Sequence, residues 1–259
     1  MSRAARVPFS AQRQQAIVRT LRATGRVDVA SVAADLGVTA ETVRKDLIRL
    51  EQEGLLRRVH GGAVPIEHVS FEPAVSTRIA FTAEKKRIAR AAFEHLPAEG
   101  SVLLDAGSTT ALLADIFPTD RPLTVFTNSL PIALSLLPRP NVTVYTLGGR
   151  VRVTTSAEVG HWADRTLRDL NVDVAFLGTN ALSVERGLTT PDPAEAATKH
   201  LMLAAARRRV LLADHSKVGR VSLCKHADLD DLDLFITDSG LSDDTHQALV
   251  TAGLPTERV

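Results

Sequence analysis

Six short apolar runs, separated by longer stretches of helical periodicity, constrain the fold of this chain more than any other feature. They span residues 101–105, 123–127, 142–147, 172–177, 209–213 and 233–237. Each run has the length of a buried strand, and a helical connection brings each new strand back parallel to the last. The sequence therefore predicts an α/β domain in which helices cover both faces of a mostly parallel sheet.

Each apolar run is followed by polar residues or glycine. In an open parallel sheet, ligands bind beyond the carboxyl ends of the strands, so these endings together predict a binding crevice along one sheet edge. Helix N-caps favour the same residue types, which is the alternative explanation for any single ending. The candidate ligand residues after the first are Asn128, Ser129, Gly148, Gly149, Arg150, Asn180, Asp214 and Lys217.

The first ending, DAGSTT, indicates an anion site. Asp105 closes a run, and Gly107 precedes the hydroxyl residues Ser108, Thr109 and Thr110. This order predicts a strand, a tight turn at the glycine and a helix that begins near the first hydroxyl. The first N–H groups of a helix have no intrahelical acceptor and attract negative charge. We therefore expect a phosphate group to bind here.

Charged residues near the predicted edge extend this hypothesis. Lys217 and Lys199 are expected to add positive charge, with exposed surface lysines as the alternative interpretation. Arg150 is a candidate to gate the crevice. Glu195 is a further candidate ligand, but it lies four residues before Lys199 on a predicted helix, so an ordinary ion pair along the helix is its alternative.

Other candidates supply hydrogen bonds or space. Asp105, Asn128 and Asp214 are expected either to bind sugar hydroxyl groups or to position the lysines. Gly148 and Gly149 lack side chains and would let the backbone approach a ligand closely.

The segment ASVAADLGVTAETVRKDLIRLEQEGLL, residues 30–56, predicts a helix-turn-helix after a first helix that ends at Gly25. Gly37 permits the sharp turn, and Thr39 is expected to cap the second helix. Val43, Leu47 and Leu50 repeat at helical spacing and are expected to face the core.

Long polar side chains remain on the outer surface of the second helix, as major-groove recognition requires. The segment GLLRRVHGGAV, residues 54–64, predicts a β-hairpin wing with basic side chains. A surface pair of helices with solvated charges is the alternative interpretation. The candidate DNA-binding residues are Thr39, Glu41, Thr42, Arg44, Lys45, Arg57, Arg58 and His60.

Composition agrees with two parts of different charge. Residues 1–63 hold eleven Lys or Arg and six Asp or Glu, whereas residues 64–259 hold twenty and twenty-four. A small basic head on an acidic body suggests that only the head meets a polyanion. The single cysteine, Cys224, favours a cytoplasmic protein, and the apolar runs are too short to span a membrane.

We predict three parts: a winged helix-turn-helix over 1–63, a linker over 64–82 and an α/β domain over 83–259. The last is expected to open with a helix over 82–96 that Thr82 caps. Trp162 is interpreted as a packing residue. The seven histidines beyond His60 show no metal-ligand spacing and are interpreted as surface or incidental residues, and no metal or cofactor is expected.

These residues carry a resemblance to a known family. Residues 13–63, with TVRKDL and GLLRRVHGGA, resemble the winged helix-turn-helix of the DeoR family of bacterial transcriptional regulators. The motifs LLDAGSTT, TVFTNS, FLGTNAL, GLTTPDPAEAATKHLM and VLLADHSKVG resemble, in order, the sugar-phosphate-sensing domain of that family, which has an isomerase-like fold. Ser108 replaces a common threonine and keeps the hydroxyl group, whereas Lys45 replaces a usual arginine and loses its bidentate fork for base recognition.

The resemblance implies a repressor of a carbohydrate-metabolism operon whose operator DNA binding responds to a phosphorylated sugar. Specific recognition by one small head implies a homodimer or a higher homo-oligomer. A sugar-phosphate isomerase with an accessory DNA-binding domain is the alternative. Thr179 and Asn180 stand where such an enzyme is expected to carry acidic residues, but Asp192 and Glu195 keep it open. An architectural DNA-binding protein without an effector would leave the strand endings unexplained.

Overall fold

In the computed structural model of the protein, the described residues are 10–24, 26–64, 72, 74–75 and 78–259, with the backbone alone for residues 22 and 23. The chain divides into two compact units, residues 1–73 with 77–80, and residues 74–76 with 81–259. The domain limits set from the sequence at residues 63 and 82 stay predictions. The predicted helix end at Gly25 and the histidine His68 lie outside the described residues.

In its described residues, the smaller unit has three α-helices and a three-stranded antiparallel sheet of order β1-β3-β2. Its elements are α1 (Ser10–Thr24), β1 (Val27–Asp28), α2 (Val29–Leu36), α3 (Ala40–Gln52), β2 (Arg57–Val59) and β3 (Gly62–Val64). Leu21 from the last turn of α1 and Leu50 from the last turn of α3 pack together in the core. Leu56, which lies just before β2, packs in the same cluster. This is the predicted winged helix-turn-helix.

Local sequence signals account for the turn between α2 and α3. Gly37 adopts the left-handed conformation, with φ of 64°, at the end of α2. Thr39 caps α3 because its hydroxyl group accepts the N–H of Thr42 at 3.2 Å. The predicted inward residues Val43 and Leu47 are buried. The sequence prediction of this turn is therefore confirmed.

The larger unit is built around a seven-stranded sheet in which every neighbouring pair is parallel, in the order β15-β14-β12-β9-β4-β5-β6. Its strands are β4 (Gly100–Leu104), β5 (Leu123–Thr127), β6 (Val142–Thr146), β9 (Val172–Leu177), β12 (Ala206–Leu212), β14 (Leu234–Thr237) and β15 (Thr256–Arg258). Its helices are α4 (Thr82–Phe93), α5 (Ser108–Asp115), α6 (Leu130–Leu136), α7 (His161–Arg168), α8 (Pro193–Ala204) and α9 (Asp243–Thr251). The predicted fold class is confirmed.

The central strands β4 and β9 are buried on both faces of the sheet, which explains why they end in apolar runs. Along β4, Val102 and Leu104 pack in the hydrophobic cluster on one face, whereas Leu103 packs in the cluster on the other. The same alternation in β9 separates Phe176 from Leu177. Helices therefore lie on both sides of one central layer.

Several short strands outside the predicted set have three or four residues each. A hairpin joins β7 (Arg150–Arg152) and β8 (Ala157–Val159). A small antiparallel sheet joins β10 (Ala181–Ser183), β11 (Gly187–Thr190) and β13 (Cys224–Ala227) in the order β10-β11-β13. Strand β15 at the sheet edge was also not predicted.

Two local predictions are wrong. Helix α4 begins at Thr82, but Phe81 holds the N-cap position in a left-handed conformation, so Thr82 is not the cap; the helix ends at Phe93 rather than at residue 96. Trp162 is 74% exposed because it lies on the outer side of the first turn of α7, so it is not a core residue.

In the described part of the chain, no helix is long and apolar enough to cross a membrane.

Candidate functional site

The order of the strands in the larger sheet has one switch point. From β4 the chain continues to β5 and β6 on one side, and from β9 it continues to β12 and β14 on the other. The order therefore reverses between the neighbouring strands β4 and β9. Ligands of open α/β sheets bind at such a switch point, beyond the carboxyl ends of the strands.

A buried ion pair lies at this switch point. The Nζ atom of Lys199 contacts Oδ2 of Asp105 and donates a hydrogen bond to the carbonyl oxygen of Gly178 at 2.9 Å. The same Asp105 oxygen accepts the N–H of Gly178 at 2.9 Å. Only 5% of Lys199 and 1% of Asp105 are exposed. The surface-lysine interpretation of Lys199 is therefore wrong, because its side chain reaches inward to the ends of β4 and β9.

The glycine turn after β4 has the predicted geometry. Gly107 precedes α5, whose first turn contains Ser108, Thr109 and Thr110. The Thr110 hydroxyl group donates a hydrogen bond to the carbonyl oxygen of Gly107 at 3.0 Å, so its proton is used inside the turn. The first amides of α5 and the half-buried Ser108 hydroxyl group remain as the groups suited to an anion.

The ending of β5 mainly supports the neighbouring loop. The side-chain oxygen of Asn128 accepts the N–H of Ala106 at 2.8 Å, which fixes the residue before the glycine turn. The Ser129 hydroxyl group accepts the N–H of Ile132 at 3.4 Å and caps α6. Both side chains are buried. For Ser129, the capping explanation accounts for the residue type.

The glycines after β6 serve the β7–β8 hairpin. The N–H of Gly148 donates to Oε2 of Glu158 at 2.7 Å. A Cβ atom on Gly149 would lie 2.8 Å from the carbonyl oxygen of Val159, so this glycine allows close packing within the hairpin. The expected close approach to a ligand is not needed to explain it. Arg150 begins β7 and is exposed.

An ionic network ties the hairpin to the start of α8. Arg152 contacts Oδ2 of Asp192 through Nε at 2.9 Å and Oε1 of Glu195 through Nη1 at 3.1 Å. Glu195 is buried and also accepts hydrogen bonds from the hydroxyl groups of Thr155 and Thr190. The alternative interpretation, an ion pair between Glu195 and Lys199, is therefore wrong, because each side chain has a different partner. Sequence reasoning missed Arg152, whose partner lies 43 residues away.

The ending of β9 continues into the small antiparallel sheet. Asn180 accepts the hydroxyl group of Thr190 at 2.9 Å. The Thr179 hydroxyl group lies 3.2 Å from Nε2 of His226, which is 3% exposed. Burial and the nearby positive charge of Lys199 hold the pKa of His226 well below its usual range. The interpretation of His226 as a surface or incidental residue is therefore wrong.

Asp214 follows β12 and organises the next turn. Its buried carboxylate accepts the N–H of Ser216 at 3.1 Å and begins a short 3-10 helix over His215–Lys217. Lys217 at the end of this turn is half-buried.

His215 and Asp238 form a pair at the ends of β12 and β14. Nδ1 of His215 lies 2.7 Å from Oδ2 of Asp238, which is 1% exposed and also accepts the N–H groups of His215 and Gly240. Burial opposes ionisation, but these hydrogen bonds outweigh it and lower the pKa of Asp238 to about 2. The bond to Asp238 raises the pKa of His215. The interpretation of His215 as incidental is wrong.

This pair predicts a pH-dependent contribution to stability. Because the pKa of His215 is higher in the folded chain than its usual 6.5, its stabilisation is complete below pH 6.5 and declines as the pH rises through the raised value. We expect the melting temperature of the protein to fall towards that of His215→Gln between pH 6 and pH 9. A difference in melting temperature between the two proteins that stays constant from pH 6 to pH 9 would contradict the assignment.

The smaller unit presents the predicted DNA-binding residues on α3 and the wing. Glu41, Arg44 and Lys45 are exposed, and Thr42 is half-buried beside Thr39. A cavity of about 370 Å³ between α3 and the wing is lined in part by Arg44, Arg58, His60 and Gly61. The geometry thus brings one α3 arginine together with two candidate DNA-binding residues of the wing, Arg58 and His60.

The wing arginines differ in their contacts. Arg58 is held by Glu51 of α3, through its backbone N–H at 2.8 Å and its Nε at 2.6 Å. Arg57 is exposed and has no ion pair with any residue that the structure describes.

A buried carboxylate that sequence reasoning missed fixes α1 against α3. Asp46 accepts hydrogen bonds from Nε of Arg13 at 2.8 Å and from Gln14 at 3.2 Å. The pair is largely withdrawn from solvent. Asp46 lies directly after Lys45, so this contact fixes the rotation of the helix that carries the candidate recognition residues. Aspartate is usually exposed, so the residue type of Asp46 gives no signal for its buried position.

Comparisons with known proteins agree with this architecture. The DeoR-like helix-turn-helix domain model matches residues 13–69, and the DeoR C terminal sensor domain model matches residues 80–239. The HTH-type transcriptional regulator GlpR of Haloferax volcanii is 42% identical over 246 residues, which cover 94% of this chain and 96% of that protein. The transcriptional repressor AccR of Agrobacterium fabrum is 33% identical, over 88% of this chain and 89% of its own.

Among solved structures, ribose 5-phosphate isomerase A from Methanocaldococcus jannaschii shares 17% identity at a TM-score of 0.40, over 54% of this chain and 55% of that chain. The two units and the two family models define a DNA-binding transcriptional regulator with a sensor domain. The chain belongs to the DeoR family.

Proposed function

We propose that the protein is a repressor of a carbohydrate-metabolism operon, and that a phosphorylated sugar bound at the sheet edge controls its affinity for operator DNA. The observation that carries the proposal is the buried contact of Lys199 with Asp105 and Gly178 at the switch point. An ammonium group has three donors, and two acceptors are assigned here. The third donor is available to a ligand in the crevice.

Phosphate recognition is assigned to the start of α5. The amides of Ser108, Thr109 and Thr110 lack intrahelical acceptors, and the helix dipole favours an anion at this end. Lys217 contributes a second positive charge from the end of β12. Strand β4, which leads into α5, and strand β12 are two positions apart in the sheet, which is about 10 Å at the usual strand spacing.

The sugar portion is assigned to the polar groups between these positions. In this proposal Asn180 and Asp214 bind hydroxyl groups, and Asp105 and Asn128 hold Lys199 and the glycine turn in place. Glu195 has an indirect role in this proposal, because it holds Arg152 of the β7–β8 hairpin in place. Arg150 is proposed to close over the ligand, and Gly148, Gly149, Gly107 and Ser129 shape the surrounding loops.

A thermal-shift experiment tests the binding site. We expect at least one of ribose 5-phosphate, glucose 6-phosphate, fructose 6-phosphate and glycerol 3-phosphate to raise the melting temperature by mass action. Ser108→Phe should abolish this shift, because the phenyl ring would occupy the space that the phosphate group needs at the first turn of α5. Ser135→Phe, at an exposed serine of α6, is the matched control and should retain it. An undiminished shift in Ser108→Phe would refute the phosphate assignment.

DNA recognition is assigned to α3 and the wing. In this proposal Arg44 and Lys45 contact guanine edges or phosphates, and Thr42 and Glu41 contact neighbouring bases. Arg57, Arg58 and His60 follow the DNA backbone, while Thr39 fixes the start of the helix. One such helix contacts only a few base pairs, so at least a dimer on repeated half-sites is required.

We infer that the chain is not an isomerase. Isomerisation needs a carboxylate base that is free to take a proton from the bound sugar. Asp105 is paired with Lys199, and Glu195 is bound by Arg152 and two threonines. Incubation with ribose 5-phosphate should give no turnover; turnover that Glu195→Gln removes would favour the enzyme.

A further inference from the structure

The imidazole ring of His215 is held in one orientation and leaves one nitrogen for a ligand. Its Nδ1 and backbone N–H both bind the buried carboxylate of Asp238. A Cβ atom on Gly240 would lie 2.4 Å from Nδ1, so the absence of a side chain at that glycine leaves room for the ring. Nε2 makes no hydrogen bond to any residue that the structure describes, and 30% of the side chain is exposed.

The position of His215 places that nitrogen at the proposed effector site. The residue follows Asp214 at the carboxyl end of β12 and shares its 3-10 turn with Lys217. The carboxylate of Asp238 accepts a hydrogen bond from Nδ1–H. A second proton on the ring is therefore carried by Nε2, which becomes a cationic hydrogen-bond donor. Such a donor forms charge-assisted hydrogen bonds with anions.

The same ring contacts Phe81. The two ring centroids are 4.9 Å apart, and the planes meet edge to face at 76°. Phe81 has φ of 56° and ψ of 32°, a left-handed conformation that a bulky side chain rarely adopts. Such a conformation persists only where its surroundings hold it, and it often marks a functional position.

The backbone of Phe81 determines how α4 begins. Its carbonyl oxygen accepts the N–H of Lys85 at 2.9 Å, the first hydrogen bond of the helix. Residues 77–80, directly before Phe81 in the chain, belong to the smaller unit. Phe81 is therefore the residue at which the chain passes from the DNA-binding unit into the main segment of the sensor unit.

We propose that His215 couples the two functions: Nε2 binds the anionic effector, and the ring holds Phe81 in the conformation that starts α4. This inference rests on the proposed effector site and adds the residue through which occupancy is transmitted. A ligand changes an equilibrium only when it binds two states unequally. The two states differ here in the contact of His215 with Phe81, which the bound anion strengthens or breaks.

Three measurements on the full-length protein test this proposal. They are the Kd for the phosphorylated sugar that gives the largest thermal shift in the four-compound panel, the Kd for a duplex selected from a random library, and the ratio of duplex Kd values with and without that sugar. We expect His215→Gln to weaken sugar binding by about tenfold or more, the effect of losing one charge-assisted hydrogen bond. His246→Gln is the control, since His246 is also half-buried and bonded through one ring nitrogen.

Phe81→Leu separates coupling from binding. We expect its sugar Kd and its duplex Kd without sugar to stay within about twofold of the wild-type values, while the ratio falls towards one because coupling is lost. Phe93→Leu, at the other end of α4, should keep the wild-type ratio. A purely structural role of Phe81 would lower the melting temperature and leave the ratio intact.

The outcomes distinguish the two levels of the proposal. Wild-type affinity for the sugar in His215→Gln, or a wild-type ratio in Phe81→Leu, overturns the coupling role while the effector site stands. Failure of the whole panel to shift the melting temperature of the wild-type protein overturns the effector site and the coupling role with it.

Discussion

Lys199→Met is expected to lower the free energy of unfolding of the larger unit by about 3–5 kcal/mol, because it leaves the Asp105 carboxylate buried without its cation. The methionine side chain preserves most of the volume, so the loss reports charge rather than packing. Urea denaturation monitored by circular dichroism measures the change. Effector binding should be lost in the same variant, since the ammonium group is assigned to the ligand.

Two controls separate the buried pair from lysine loss in general. Lys225→Met removes a lysine whose partner Asp228 is 60% exposed, and an exposed pair is worth about 0–1 kcal/mol. Adding Asp105→Asn to Lys199→Met removes the orphaned charge and should recover part of the stability. A loss below about 1 kcal/mol in Lys199→Met would contradict the view that this pair holds the switch point together.

Arg44→Ala and Arg57→Ala are expected to impair DNA binding in different ways. Loss of a base-contacting arginine costs about 1–3 kcal/mol and relaxes sequence preference at one position. Loss of a phosphate-contacting arginine weakens all duplexes alike and reduces the slope of log K against log salt by about 1. Arg44 lies on α3, whereas Arg57 is exposed on the wing, so we assign the first effect to Arg44 and the second to Arg57.

Fluorescence anisotropy with a selected duplex, its single-base variants and a salt series measures both effects. Arg168→Ala, at an exposed arginine of α7 in the sensor unit, is the control and should change neither. Equal losses on all duplexes for Arg44→Ala, with an altered salt slope, would move this residue to the DNA backbone.

The parts of the fold that could be predicted depend on local signals. Buried parallel strands such as β4 and β9 are mostly apolar, and the turn before α3 depends on Gly37 and Thr39, which act within a few residues. The three-residue strands β7 and β8 leave no comparable pattern, since each depends on its partner. Strand β15 has only three residues and follows a loop.

The contacts of the candidate site were harder to predict because they join residues far apart in sequence. Lys199 and Asp105 are separated by 94 positions, and Arg152 and Glu195 by 43. Lysine and arginine are usually surface residues, so their types pointed away from these buried positions. His215 and His226 share this difficulty, because their partners Asp238 and Thr179 lie 23 and 47 positions away.

Operator release by a phosphorylated sugar is the most direct test of the central claim, that the sheet-edge site and the DNA-binding unit are energetically coupled. Anisotropy of a selected duplex bound to the wild-type protein should report a change of at least about fivefold in Kd with one phosphorylated sugar of the panel, and none with the same sugar lacking its phosphate. An unchanged duplex Kd with every phosphorylated sugar would contradict the account.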